Sequence, residues 1–275
     1  MSNSFTRQVV PVDGHQHIVA RFFAPAGEPR AAVLVVPAMG VTQAYYAPFA
    51  QWLAAQGFLV ATFDYRGVGQ SRHGSLRKVS TDILDWARLD CAAMIDALAA
   101  QAPDKPLHWI GHSLGGQILP FVPNRQRVSR VVTVATGSGY WRENTAALRR
   151  TSWWLWFVAA PLSVRLFGYF PGKRLRKVGD LPRGVMEQWR RWCLNPEYAI
   201  GVEGESARAL YAAVQTPIVS LSFTDDEYMS QRNIEAIHGQ YVNASRTLKR
   251  IGHFGFFKSK YEHSLWRTHL LPELS

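Results

Sequence analysis

At 275 residues, 47% of them hydrophobic and 19% charged, the chain is long enough to bury a substantial core and too apolar for a disordered segment. Its two cysteines, Cys91 and Cys193, stand far apart with no clustered histidines, which argues against a disulfide framework or zinc site and for buried thiols of a reducing compartment. The net charge of +11 raises nucleic acid as a partner, but the Lys and Arg residues form no basic arm and no nucleic-acid motif is present.

The opening stretch MSNSFTRQVVPVDGHQHIVARFF has no apolar signal core, so a cytoplasmic protein is expected. Residues 31–36, AAVLVV, form a β-branched apolar run that ends at Pro37, as a buried strand does. YYAPFAQWLAAQG (45–57) has helical spacing and stops at Gly57, and FLVATFDY (58–65) reads as the next strand. Residues 80–100 carry the longest helical pattern. LHWIGH (107–112) runs as a strand into Ser113, LGGQILPFV starts a helix, and VSRVVTVAT (128–136) is another buried strand. Residues 216–224 and 245–251 read as strands, with helices near 229–240 and 258–270. Strands alternating with helices predict one α/β domain over 1–275, a mostly parallel sheet with helices on both faces.

The alternation breaks from about 137 to 209. Residues 138–208 hold Trp141, Trp153, Trp154, Trp156, Trp189 and Trp192, with 12 Lys/Arg against 6 Asp/Glu. Inserted between two strands, this segment is expected to sit over Ser113 as a cap, its apolar residues lining an acyl pocket, its own small core, or both. Its longest uncharged run, 151–164, has 14 residues, short of the roughly 20 that a membrane span needs. Aromatic residues next to basic ones over 153–177 point instead to peripheral contact with an anionic lipid surface.

In GHSLGGQ (111–117), Ser113 lies between Gly111 and Gly115 at a strand-to-helix junction. There a tight turn lifts a hydroxyl above the sheet edge, and side chains at the flanking positions would clash. A hydroxyl is a weak nucleophile at neutral pH, so it needs a base, and the base needs an orienting acid. Asp225 and Asp226 follow the strand that starts at Pro217, and His253 follows the next one, giving the order serine, acid, histidine. The backbone N–H of Leu114, just after the nucleophile, is one expected oxyanion donor.

FDYRGVGQS (63–71), GHSLGGQ, TDDEYMS (224–230) and GHFGFF (252–257) together resemble the α/β-hydrolase superfamily, in its serine aminopeptidase-like and lysophospholipase-like branch. The resemblance implies Ser113 as nucleophile, His253 as base and an aspartate after the penultimate strand as the third member. Alignment with the family pattern favours Asp226, with Asp225 as the alternative acid, and points to Met39 in PAMG (37–40) as the second oxyanion donor, where the family usually carries His-Gly. The function that follows is hydrolysis of carboxylic esters through an acyl-enzyme, with an apolar acyl group and neither metal nor organic cofactor. Its rivals are a peptidase, thioesterase or acyltransferase on the same triad, and a binding protein that keeps the fold without the chemistry. His112 is expected to pack beneath the turn. His15, His17, His73, His108, His238, His263 and His269 carry no motif, and Asp64 and Arg66 are expected to make hydrogen bonds in a structural turn around the active-site floor.

Overall fold

The computed structural model describes residues 5–14, 16–175, 178–251 and 255–274. Its main sheet contains β1 (Thr6–Asp13), β2 (Gln16–Phe23), β3 (Ala31–Val36), β4 (Phe58–Asp64), β5 (Leu107–His112) and β6 (Val128–Val134). A short antiparallel pair, β7 (Tyr169–Phe170) and β8 (Leu181–Pro182), stands apart, and β9 (Ile218–Phe223) and β10 (Arg246–Ile251) complete the main sheet. The strand order is β1-β2-β4-β3-β5-β6-β9-β10. β2 runs antiparallel to β1 and β4, and every other neighbouring pair is parallel. The fold is that of an α/β-hydrolase.

Burial on both faces explains why the central strands read as unbroken apolar runs. In β3, Ala32, Leu34 and Val36 enter one core layer, while Ala31, Val33 and Val35 enter the opposite one. The first layer is filled by α2, residues 83–101, whose middle turn Trp86–Cys91 is π-helical. The second is filled by α1 (Ala47–Ala55) and by a carboxyl-terminal helix, Glu262–Leu270, which inserts Leu265, Trp266 and Leu270. Each fully buried Leu or Phe in these layers contributes roughly 1.5–3 kcal/mol of transfer free energy.

Two elements differ from the sequence expectation. The hairpin β1–β2 joins the sheet edge, and the helix after Ser113, α3 (Leu114–Gln117), lasts four residues before Leu119–Phe121 tightens into a 3₁₀ turn at Pro120. Proline lacks an amide hydrogen, so it cannot extend the helical ladder.

Between β6 and β9 the chain leaves the sheet. It forms α4 (residues 146–167, with π-helical turn Leu155–Ala159), α5 (Arg183–Leu194), α6 (Tyr198–Glu203) and α7 (Glu205–Ala212). After β9, α8 (Gln231–Gly239) starts at Ser230, whose hydroxyl accepts the Asn233 amide while Asn233 Oδ1 accepts the Ser230 amide. Such a reciprocal cap fixes where the loop after β9 must end. Among the described residues no helix is long and apolar enough to cross a membrane.

Candidate active site

Ser113 has φ 50° and ψ −112°, a left-handed conformation that a residue with a Cβ adopts only under constraint. The constraint comes from close backbone packing. A Cβ on Gly111 would meet the Gly115 carbonyl at 2.5 Å, and one on Gly115 would meet the Val36 carbonyl oxygen at 2.2 Å. The turn therefore rests directly on the end of β3. The Ser113 amide donates to Val134 O at 2.9 Å, and the Thr136 hydroxyl donates to Ser113 O at 3.1 Å, so β6 holds the turn from its other side.

The loop after β3 comes next to this turn. Its Ala38 amide donates to the Tyr46 hydroxyl at 3.0 Å, and Tyr46 Oη lies 2.8 Å from His112 Nδ1. Burial pushes His112 down to about 4, so the ring is neutral, and one hydrogen bond joins its Nδ1 to the Tyr46 hydroxyl. His112 also packs on Phe257 at 4.8 Å between ring centres, and it lines the cavity together with Ser113, whereas the sequence expectation puts it beneath the turn. Met39 and Leu114 both line the cavity above Ser113, and neither backbone amide donates to a partner among the described residues.

Asp226 stands on the turn after β9 and lines the same cavity as Ser113, buried to 9% exposure. Its Oδ1 accepts the amides of Tyr228 at 2.8 Å and Met229 at 2.9 Å, whereas Oδ2 has no partner among the described residues. Burial raises its pKa above the ordinary carboxylate range; the two amides pull it down, and Asp225 and Glu227 push it up. Asp225 is exposed.

His253 lies outside the described residues, as does His15. Ile251 pairs with Phe223, the last residue of β9, and the Thr224 amide donates to Ile251 O at 2.8 Å. Farther along, the Phe257 ring packs at a tilt of 49° against His112, the residue before Ser113.

The cavity measures about 380 Å³. Its floor is the Ser113 turn, the Met39 loop and Asp226, and its remaining wall comes from residues 139–198, including Leu148, Leu155, Trp156, Trp189 and Tyr198. Gln117, one helical turn after Ser113, and Tyr198 form a polar corner: the tyrosine hydroxyl donates to Gln117 Oε1 at 2.9 Å, and Gln117 Nε2 donates to Gly137 O at 2.6 Å. Sequence reasoning did not single out Gln117, although its spacing from Ser113 puts both on one face of α3. Asp64 and Arg66 are not in the cavity wall. Asp64 braces its turn by accepting the Gln43 amide at 2.7 Å and the Gln70 amide at 2.8 Å, and Arg66 pairs with buried Asp90 at 2.7 Å.

Against solved structures, the chain superposes on a soluble variant of monoglyceride lipase from Saccharomyces cerevisiae, solved with a substrate analog, at TM-score 0.69 and 16% identity over 96% of this chain and 92% of that one. It superposes on a carboxyl esterase from Bacillus coagulans at TM-score 0.66 and 15% identity, covering 94% of each chain. At these identities the likeness is one of fold. Among curated proteins, monoglyceride lipase of Mus musculus is 33% identical over 110 residues, taking in 40% of this chain and 35% of that protein; the Homo sapiens protein is 32% identical over the same span. The aligned part is therefore about a third of those relatives' length. The profile of the family described as "Serine aminopeptidase, S33" matches residues 27–179, which is more than half of the chain and includes β3, the Ser113 turn and β6. The chain belongs to this family of α/β-hydrolases.

Proposed function

We propose that the protein is a serine hydrolase of carboxylic esters with an apolar acyl group. Ser113 is the nucleophile, His253 the general base, Asp226 the residue that orients it, and the Met39 and Leu114 amides the oxyanion donors. Residues 138–208 act as the cap. The observation that carries the reading is the strained Ser113 opening into one cavity with a buried carboxylate, one of whose oxygens has no described partner. That leaves Asp226 Oδ2 to accept from an imidazole, and Asp226 rather than Asp225 lines the cavity.

In this mechanism Ser113 Oγ attacks the ester carbonyl carbon as His253 takes the hydroxyl proton. The negative oxygen of the tetrahedral intermediate is held by two amides that need no reorganisation. His253 then gives the proton to the departing alcohol, leaving an acyl-serine. Water attacks the acyl carbon, His253 takes its proton and returns it to Ser113 Oγ, and the carboxylic acid leaves. The many apolar side chains on the cavity wall favour an apolar acyl group.

A fluorophosphonate probe tests the chemistry: labelling of the wild type that vanishes in Ser113→Ala and weakens in His253→Ala is expected, and an unlabelled folded protein would refute it. A series of 4-nitrophenyl esters of rising chain length tests the acyl preference, with longer chains giving the larger kcat/KM.

The cap also presents Trp153, Trp154, Phe157, Leu162 and Leu166 to solvent beside the exposed Arg149, Arg150 and Arg165. Apolar side chains interleaved with arginines suit the surface of an anionic bilayer, the expected source of a lipid-like ester. Co-sedimentation with phosphatidylserine-containing vesicles, lost when Trp153 and Trp154 become serine, is the predicted result.

A further inference from the structure

A second hollow lies between the end of α4 and α5. It measures about 530 Å³ and shares no lining residue with the cavity above Ser113. Ala160, Val164 and Met186 give it a buried apolar floor. Its walls carry four arginines, Arg165 from α4 and Arg183, Arg190 and Arg191 from α5, against one acid, Glu187. Residues 183, 187, 190 and 191 recur at three or four positions, so one face of α5 bears them all. Glu187 Oε1 is taken by Arg183 Nε at 2.9 Å. No carboxylate among the described residues lies within ion-pair distance of Arg165, Arg190 or Arg191. Arg190 Nε donates to Trp156 O, which fixes that guanidinium against α4. Arg165 and Arg191 are exposed and have no partner among the described residues, so both side chains can close on a ligand without backbone movement. Cations gathered without counter-charge over a low-dielectric floor concentrate anions there.

The count of unpaired cations selects the anion. A carboxylate brings one charge and two oxygens, and a phosphodiester one charge and two free oxygens, too few for three guanidinium groups. A phosphomonoester brings close to two charges at neutral pH and three strong acceptor oxygens. The planar fork of each guanidinium can meet two of those oxygens at once. The apolar floor then takes the carbon side of the ester. We infer that the groove between α4 and α5 is a binding site for a phosphomonoester, distinct from the cavity that holds Ser113. Two sources carry that chemistry, a small soluble ester and the headgroup of a bilayer lipid, and the test separates them. The inference does not depend on ester hydrolysis.

Full-length protein is titrated calorimetrically at low ionic strength with phenyl phosphate, and with benzoate as the singly charged comparison. It is also sedimented with vesicles containing phosphatidic acid or phosphatidylserine at matched surface potential. Tighter binding of phenyl phosphate than of benzoate marks a soluble ligand, and a preference for phosphatidic acid marks a headgroup; either supports the site. Arg165→Gln/Arg191→Gln should weaken that binding at least tenfold, the scale of a lost charge-assisted hydrogen bond. Arg165→Lys/Arg191→Lys keeps the charge without the fork and should also bind more weakly than wild type. Arg232→Gln/Arg267→Gln removes the same charge from α8 and the carboxyl-terminal helix, outside the groove, and should change nothing. Preference for neither probe, or an equal loss in that last variant, overturns the site. A matching Tm shows that the variants fold, and Arg165→Gln alone decides should the double variant not. The bilayer contact proposed above fails separately. Phosphatidylserine vesicles that bind through Trp153 and Trp154 uphold it without any preference for phosphatidic acid, and phenyl phosphate binding upholds the groove even if no vesicle is bound.

Discussion

The Tyr46 hydroxyl joins the two sides of the site, accepting from the Ala38 amide at 3.0 Å and lying 2.8 Å from His112 Nδ1. One buried phenol thus ties the loop that carries Met39 to the residue before Ser113.

Tyr46→Phe keeps the ring and removes the tie. The buried Ala38 amide then loses its partner, at a cost of about 1–3 kcal/mol. Denaturant unfolding should report that loss. With Met39 and Leu114 as the oxyanion donors, ester kinetics should show kcat falling more than KM rises, because the misplaced donor acts on the transition state.

Ser113 is held at φ 50° against its own Cβ. Both Ser113→Ala and Ser113→Gly abolish the proposed nucleophile, yet they should differ in stability. Glycine relieves a strain of about 1–3 kcal/mol and loses about 0.5–1 kcal/mol through a freer unfolded chain. The glycine variant is therefore expected to melt at or above the alanine variant in calorimetry, and a clearly lower Tm would contradict the strain.

Asp226→Asn should lower kcat about 10³–10⁴-fold, because an amide in place of the acceptor favours the wrong imidazole tautomer. Asp225→Asn should lower kcat far less than Asp226→Asn, since Asp226 and not Asp225 lines the cavity that Ser113 opens into. Burial raises the Asp226 pKa. The ionised form is the one that orients the base, so the contribution of Asp226 to kcat/KM should be lost on acidification already above the ordinary carboxylate range. For stability the sign is opposite: a raised folded pKa favours folding at low pH, and this contribution is lost as pH rises through that pKa.

Arg66 Nε donates to Asp90 Oδ1 at 2.7 Å and the Arg66 amide to Oδ2 at 2.9 Å, yet burial still pushes Asp90 up to about 6. Arg66→Leu leaves that carboxylate buried without its cation and should cost about 3–5 kcal/mol, most of it recovered in Arg66→Leu/Asp90→Leu. Because the folded pKa lies above the unfolded value of 3.8, the carboxyl's contribution is fully present below about 4 and lost as pH rises past 6. Urea unfolding of the single variant should therefore show a smaller penalty at pH 4 than at pH 8.

The central sheet was legible in the sequence because β3, β4 and the second half of β6, from Val131, are buried on both faces and leave largely apolar runs. β1 is an edge strand that fully buries Val10 alone, and so leaves no such run. The Ser113 turn was legible because its glycines answer a steric demand that no other residue meets. The choice between Asp225 and Asp226 depends on which carboxyl enters the cavity, a one-residue question of turn geometry that composition and spacing leave open. Gln117 gave no motif either, since a polar side chain in a helical pattern reads as solvent-facing until the fold closes over it.

Gly40 and Gly179 touch backbone to backbone: a Cβ on Gly179 would lie 2.4 Å from the Gly40 carbonyl oxygen. With residues 138–208 as the proposed cap, this close approach seats the cap directly on the loop that bears the Met39 amide. Raising the roof on this seam would drag a hydrogen-bond donor out of alignment with the chemistry below.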